Sequence, residues 1–169
     1  RLCGRPAPRH HLRVSSVQDI AIAALGAGDL VGLAQAYALD ASVFPHLSLP
    51  VLAGDRRARI WTARALSQVI GFAGASVRGK DTLDVVGLAV DPSHRGLGIG
   101  RALLREVIAD AGQELRCRRI LLHVSTTNVA ALALYASEGF ARAERRPGFY
   151  SAACNFGDGG DAWRMVRPV

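Results

Sequence analysis

The chain of 169 residues lacks several features that whole classes of protein require. It has no apolar run of the 18 or more residues that cross a bilayer as a helix, so we expect no membrane partner. Its three cysteines, Cys3, Cys117 and Cys154, are widely scattered, without C-x-x-C spacing or a neighbouring histidine cluster. This pattern argues against a disulfide framework and against a metal site, and it favours a reducing cytosol.

Aromatic residues are few and lysine is almost absent. Aromatics make up 6% of the chain, and Lys80 is its single lysine. A surface that reads nucleic acid usually combines a clustered basic face with aromatic side chains, so a nucleic-acid partner is disfavoured despite the net charge of +7. A P-loop ends in Gly-Lys-Ser/Thr, and Lys80 stands in no such sequence.

The positive charge is concentrated at the start of the chain. Residues 1–18 contain four arginines and no acidic residue, with prolines and no sustained hydrophobic period. We expect this segment to be a flexible basic extension or a cloning remnant, with an arginine-rich targeting peptide as the alternative. Residues 19–169, rich in apolar side chains, are then long enough for a single domain.

Apolar periodicity predicts an α/β domain. Helices are expected from Asp29 through Leu39 with Leu30 and Leu33 on the buried face, briefly from Ser48, after the glycines near residue 100, and from Asn128 to Gly139. Such a pattern builds a mixed sheet with helices on both faces. The expected strands are 19–25, 60–65, 69–78, 82–90, 120–124, 140–145 and 162–167.

A glycine-rich turn joins a strand to a helix in the middle of the chain. It reads Arg95-Gly96-Leu97-Gly98-Ile99-Gly100 and follows the apolar strand that ends at Val90. Glycines let a phosphate approach the backbone, and the first amides of a helix have no intrahelical partner. A dinucleotide fingerprint is excluded because its third glycine is replaced by Arg101. The turn therefore predicts a different pyrophosphate-bearing cosubstrate.

Two motifs together resemble one family. Arg95–Gly100 fits R-x-x-G-x-G, and Asn128–Phe140 fits N-x-x-A-x-x-L-Y-x-x-x-G-F, as in the GNAT N-acetyltransferase superfamily. Arg145-Arg146, Tyr150 and Asp161-Ala162 are similar to its RimI-type branch, which acetylates the N-terminal alanine of a small-subunit ribosomal protein. The resemblance implies a single-domain GNAT fold over residues 19–169. Its sheet is mostly antiparallel, with parallel but splayed fourth and fifth strands.

The resemblance also implies the cosubstrate, acetyl-CoA, and the residues that hold it. A splayed strand leaves backbone groups that a pantetheine arm can bond as an added strand would. Asn128 is most simply a helix cap, and cofactor contact is its second role. The expected contacts to the arm and pyrophosphate come from Leu88, Ala89, Val90, Arg95, Gly96, Leu97, Gly98, Ile99, Gly100, Arg101 and Tyr135.

Acetyl transfer to an amine needs an acid for the departing thiolate and an acceptor for the amine proton. In the family the tyrosine matching Tyr135 supplies the acid, and core packing is its other interpretation. RimI-type enzymes place a glutamate on the fifth strand where this chain has His123. Asp84 on the fourth strand is the competing base, and a water relay is open because a free α-amine has a pKa of about 8.

The acceptor is the least defined part of the sequence. Tyr150 and Phe44 are expected to line its slot, with the segment Ala41–Pro50 as the opposite wall. Phe149 stands where the RimI branch usually has a tyrosine, which keeps a small-molecule amine open beside a protein N-terminus. A non-catalytic CoA-binding module is the alternative of another class, and the oligomeric state stays open.

Overall fold

The computed structural model describes residues 20–26, 28–43, 49–52, 55–150 and 160–169. Within them a seven-stranded mixed sheet has the order β1-β2-β3-β4-β5-β7-β6, antiparallel except for β4 beside β5. The strands are β1 (Ile20–Ala24), β2 (Ala58–Ala65), β3 (Gln68–Arg78), β4 (Thr82–Val90), β5 (Arg119–Ser125), β6 (Ala141–Arg146) and β7 (Ala162–Pro168). The helices are α1 (Leu30–Val43), α2 (Ile99–Gln113) and α3 (Val129–Ser137), with short 3₁₀ helices at Leu49–Leu52 and Pro92–His94.

Helices cover both faces of the sheet, as predicted. On one face, Leu103 and Val107 of α2 are fully buried in a cluster with Trp61, and α3 joins the same cluster. On the other face, Ala36 of α1 packs with Phe72 of β3 in a second cluster. Because successive strand residues point to opposite faces, one sheet supplies both cores. The fold is therefore the expected single-domain α/β architecture.

Helix α1 differs from its prediction in length and in orientation. Asp29 caps it as expected, its carboxylate accepting the N–H of Gly32 at 2.7 Å. The helix continues one turn past Leu39, and its buried side is Ala36, Leu39 and the fully buried Asp40, while Leu30 is 73% exposed. Of the predicted face, Leu30 was placed wrongly, whereas Tyr37 does pack against the α1 cluster. The sequence does not select one side because α1 is apolar almost all round.

The parallel strands separate halfway along their length. Pairing of β4 with β5 runs from Thr82 opposite Arg119 to Val85 opposite Leu122 and then stops, although β4 continues to Val90. At the same point β4 carries an irregularity toward β3, which leaves Val86 between paired residues. Such a bulge bends a strand and increases its twist. The predicted splay is thus present, and it opens a gap between the carboxyl-terminal halves of β4 and β5.

Candidate active site

The glycine-rich turn begins with a local cap. The Asp91 carboxylate accepts the Ser93 N–H at 2.8 Å and closes the 3₁₀ turn that follows β4. Gly96 and Gly98 have φ values of +81° and +78°, in the left-handed region that residues with a Cβ atom rarely adopt. These two glycines therefore set the path of the chain into α2.

The first turn of α2 presents backbone donors. The first intrahelical bond runs from the N–H of Ala102 to the carbonyl of Gly98, so the N–H groups of residues 99–101 have no acceptor within the helix. A Cβ atom built at Gly96 or Gly98 would meet nothing within 4 Å, so the adjoining space is open. Free amides, open space and the positive end of the α2 dipole together fit a pyrophosphate.

A second set of backbone groups lies along the free edge of β4. The Asp91 N–H bonds the Ile70 carbonyl on the β3 side at 2.9 Å. By strand alternation, the backbone groups of Leu88 and Val90 point the other way, into the gap. Consistently, the Val90 carbonyl accepts the Nε of Arg95 at 3.2 Å. The edge at Leu88 can therefore bond an extended ligand whose far end reaches the turn.

Two arginines of α2 are engaged with α3. Arg101 and Arg105 contact the Glu138 carboxylate at 3.1 and 3.0 Å, and Arg101 also donates to Ser137 at 3.3 Å. The hydrogen bond from Arg105 holds the pKa of Glu138 below its usual range. The Arg101 side chain thus links α2 to α3. Its backbone N–H is one of the three at the start of α2 that have no acceptor within the helix.

Tyr135 lies in the core cluster that also contains Ile99, the first residue of α2. It is 8% exposed, belongs to the cluster that contains Leu132, and its ring centroid is 5.8 Å from that of Phe140. Burial raises its pKa to about 12, so the phenol stays protonated at neutral pH. Its hydroxyl has no hydrogen-bond partner among the described residues. The side chain therefore packs in the core and is also in the protonation state that an acid needs.

His123 lies on β5 and faces the opposite side of the sheet from Tyr135, since its neighbours Leu122 and Val124 point into the Tyr135 cluster. Its ring is stacked on that of Phe149, with centroids 4.1 Å apart and an interplanar angle of 14°. Partial burial is the main cause that lowers the pKa of His123 below its ordinary value of 6.5. The imidazole is therefore neutral at neutral pH and able to accept a proton.

Asp84 shares this face with His123. It is in register with Leu121, the residue two before His123 on the adjacent strand, and its carboxylate lies 3.6 Å from the Nε of Arg78. Burial raises the pKa of Asp84, and the His123 and Arg78 charges oppose that rise. The two candidate bases therefore form one electrostatically connected group, rather than lying in separate parts of the molecule.

Asp84 and His123 lie on the face of the sheet opposite to Tyr135. The gap between β4 and β5 opens beside His123, just past Val85 and Leu122, the last paired residues of the two strands.

The residues predicted to line the acceptor slot have different outcomes. Tyr150 lies beside His123, donating from its hydroxyl to the His123 carbonyl at 3.2 Å, and Phe149 is stacked on the imidazole. Phe44 lies outside the described residues. Of the segment 41–50, residues 41–43 belong to the last turn of α1 and not to a loop.

Asn128 is a helix cap, as the simpler interpretation held. Its Oδ1 accepts the N–H of Ala131 at 3.1 Å at the start of α3. This contact uses the carbonyl oxygen and leaves the amide NH₂ group for other contacts. The cofactor-contact role of Asn128 stays a prediction.

Sequence reasoning missed three charged residues around the histidine. Arg164 of β7 lies directly opposite His123, and Glu144 of β6 lies directly opposite Arg164. Arg146 shares the Glu144 carboxylate with Arg164. The sequence offered no signal for this grouping, because the register between β5, β7 and β6 is a long-range property.

Clusters of metal-ligating side chains and membrane-spanning helices are both absent from the described part of the chain. No group of three or more histidine, cysteine or acidic side chains there could hold a metal ion. No helix in the same ranges is long and apolar enough to span a bilayer.

Known proteins share both the sequence pattern and the fold. Residues 29–140 match the model of the Acetyltransferase (GNAT) family. N-alpha-acetyltransferase RimI of Mycobacterium tuberculosis is 40% identical over 108 residues, which cover 62% of this chain and 63% of that protein. An uncharacterized protein of Mycobacterium leprae, ML0378, is 40% identical over 108 residues, which cover only 28% of its length. The crystal structure of the ribosomal-protein-S18-alanine N-acetyltransferase from Escherichia coli superposes with a TM-score of 0.75 at 27% identity, covering 89% of this chain and 94% of that one.

Proposed function

The chain belongs to the acetyltransferase (GNAT) family, and we propose that it transfers an acetyl group from acetyl-CoA to the α-amine of a protein N-terminus. The observation that carries this proposal is the separation of β4 from β5 after Val85. This separation exposes one edge of β4. The edge runs from the region of Asp84 and His123, the candidate bases, to the N–H groups of residues 99–101 at the start of α2. The relatives that act on N-termini support the choice of acceptor.

The cosubstrate site is assigned to backbone groups. We assign the pantetheine arm to the edge of β4 at residues 88–90 and the pyrophosphate to the turn at residues 95–101. Backbone donors suit this ligand because they hold an anion without a flexible side chain that must be ordered. Tyr135 would then lie next to the sulfur end of the arm.

The proposed reaction needs two proton transfers. The amine nitrogen forms a bond to the acetyl carbon while the carbon–sulfur bond breaks. The amine proton passes to His123, directly or through water, and the departing thiolate takes the phenol proton of Tyr135. A pKa of about 12 keeps that phenol protonated until the thiolate forms.

An α-amine suits a neutral histidine better than a lysine side chain does. At neutral pH a free α-amine with a pKa of about 8 is uncharged in roughly a tenth of molecules, whereas a lysine with a pKa of about 10.4 is uncharged in fewer than one in a thousand. A weak base such as His123 is therefore sufficient for a protein N-terminus.

The scattered cysteines, with Cys117 a buried free thiol, agree with the cytosolic location expected from the sequence.

A small-molecule amine is the second candidate, and Phe149 is the observation that favours it. Its ring covers the imidazole and offers no hydrogen bond to a peptide backbone. The deciding experiment follows acetyl-CoA-dependent thiol release with peptides that begin with Ala and with a panel of amino acids and polyamines. Release with the peptides supports the proposal, and release with small amines alone overturns the protein acceptor. Tight acetyl-CoA binding without release for any acceptor would identify a non-catalytic module.

A further inference from the structure

A row of charged side chains crosses β5, β7 and β6 on the face that carries the candidate base. His123 lies opposite Arg164, and Arg164 lies opposite Glu144. Directly opposite residues of antiparallel strands point to the same face with Cβ atoms about 5 Å apart. The Arg164 side chain therefore starts beside His123, the candidate base, and its charge acts on the imidazole, lowering the pKa of His123.

The two arginines of this row have more donors than their carboxylate can use. The Nη1 atoms of Arg164 and Arg146 lie 3.1 and 3.3 Å from the two oxygens of Glu144. Each guanidinium has about five N–H donors, against about four lone-pair positions on one carboxylate. The Nε of Arg164 is buried and makes no hydrogen bond in the described structure. A buried donor without a partner calls for an explanation such as a ligand.

The charge on this face is also incompletely balanced. Among the described residues, Asp84 pairs with Arg78, and Glu144 is the carboxylate that contacts both Arg146 and Arg164. Counted over those residues, the row carries an excess of one positive charge next to the His123–Phe149 stack. Guanidinium groups bind carboxylates through paired hydrogen bonds, and they repel a cationic side chain.

We propose that Arg146 and Arg164 select acceptors that carry a carboxylate close to the reacting amine. Protein N-termini with Asp or Glu at the second position are then preferred. An extended peptide advances about 3.3 Å per residue, so this side chain comes level with Arg164 when the amine is at His123. This inference rests on the proposed function, because it names the acceptor class of that site.

The test compares three peptides that differ at one position: Ala-Asp-, Ala-Asn- and Ala-Lys-. We expect kcat/KM from thiol release to fall in that order, by about fivefold per step at low salt, as for a half-exposed ion pair. The difference shrinks at high salt because mobile ions screen exposed charges. Equal values for the three peptides overturn the inference and leave the proposed function standing. Acetylation of none of them overturns the proposed function and this inference with it.

Variants test the assignment to these arginines. In Arg164→Gln, and separately in Arg146→Gln, the Asp-to-Asn ratio of kcat/KM should fall to about 1. Glu144→Gln removes the internal competitor and should raise the ratio. Arg142→Gln is the matched control on the same strand, because Arg142 lies over the Trp163 ring at 5.2 Å and is on the other face. A ratio that does not change in Arg164→Gln and Arg146→Gln overturns the inference.

Free alanine tests whether the carboxylate that the arginines select is the α-carboxylate of a free amino acid or the side chain of a peptide. Acetylation of the free amino acid in preference to the Ala-Asn- peptide, lost in Arg164→Gln, supports selection by the arginines but overturns the protein acceptor. Acetyl-CoA binding by each variant, followed as a thermal shift, shows that it is folded. Arg146, at the end of an edge strand with a side chain 47% exposed, can be replaced with little risk to folding.

Discussion

Phe149 lies flat against His123, with ring centroids 4.1 Å apart and planes inclined by 14°. The contact shields one side of the imidazole from water, and burial is the largest cause of its lowered pKa. The stack contributes to that burial and fixes the plane of the imidazole ring, and neither effect can be inferred from the sequence position of His123.

Removing the stacked ring should raise the pKa of His123. In Phe149→Ala, water reaches the imidazole and the charged form is no longer disfavoured, so its pKa should move back toward 6.5. A pH titration of the imidazole NMR signals measures this directly. Tyr37→Phe, in the α1 cluster and not among the groups that act on the His123 pKa, is the control and should leave the titration unchanged. An unchanged His123 pKa in Phe149→Ala would contradict the role given to the stack.

Asp84→Asn should have the opposite effect on the same histidine. The Asp84 charge favours the imidazolium, so its removal should lower the pKa of His123 further. The acid limb of kcat, where His123 becomes protonated, should then move to lower pH while the plateau remains. Asp81→Asn, in the turn before β4 and paired with Arg119, is the matched control. Loss of the plateau by about a hundredfold would instead make Asp84 the base.

Tyr135→Phe should remove most of the turnover without unfolding the protein. The change deletes a hydroxyl with no hydrogen-bond partner in the described structure, so the free energy of unfolding should change by less than about 1 kcal/mol. Loss of the acid should lower kcat by about a hundredfold or more. Thiol release and thermal melting measure the two effects, with Tyr37→Phe as control. Wild-type kcat in Tyr135→Phe would leave Tyr135 as core packing only.

Gly98→Ala should weaken acetyl-CoA binding beyond its effect on stability. A left-handed φ of +78° disfavours alanine by about 1–2 kcal/mol, so the apo protein should melt at a lower temperature. Gly79→Ala, at a φ of +63° in the β3–β4 turn, imposes a similar strain away from the predicted cosubstrate site. Only Gly98→Ala should also reduce the thermal shift produced by acetyl-CoA. Equal thermal shifts in the two variants would argue against the turn as the pyrophosphate site.

Two substitutions at Asn128 separate capping from cosubstrate contact. Asn128→Asp keeps the oxygen that accepts the Ala131 N–H, whereas Asn128→Ala loses it at a cost of about 1 kcal/mol. If the amide NH₂ contacts acetyl-CoA, both variants should raise KM for it, and only Asn128→Ala should melt earlier. An unchanged KM in Asn128→Asp would restrict Asn128 to capping.

Local chemistry made much of this architecture predictable. The bounds of β4 agree with the prediction, and α2 buries the expected stripe that includes Leu103 and Val107. Tyr135 and the glycine turn could be named as candidate site residues because each belongs to a short contiguous motif. The orientation of α1 was not predictable, because its sequence is apolar on nearly every side.

The charged residues around His123 could be identified only from the fold. Asp84 lies 39 positions before His123 in the sequence and Arg164 lies 41 after it, and strand register alone brings them onto one face.

The sequence by itself determined the helix caps, the left-handed glycines, the strands and the family motifs, since each depends on interactions among residues within a few positions. The tertiary structure decided where β4 leaves β5, which faces Tyr135 and His123 occupy, and which charges surround the imidazole. Those properties depend on long-range pairing and on burial, which set the pKa values and the open strand edge. These properties cannot be inferred from residues that lie close together in the sequence.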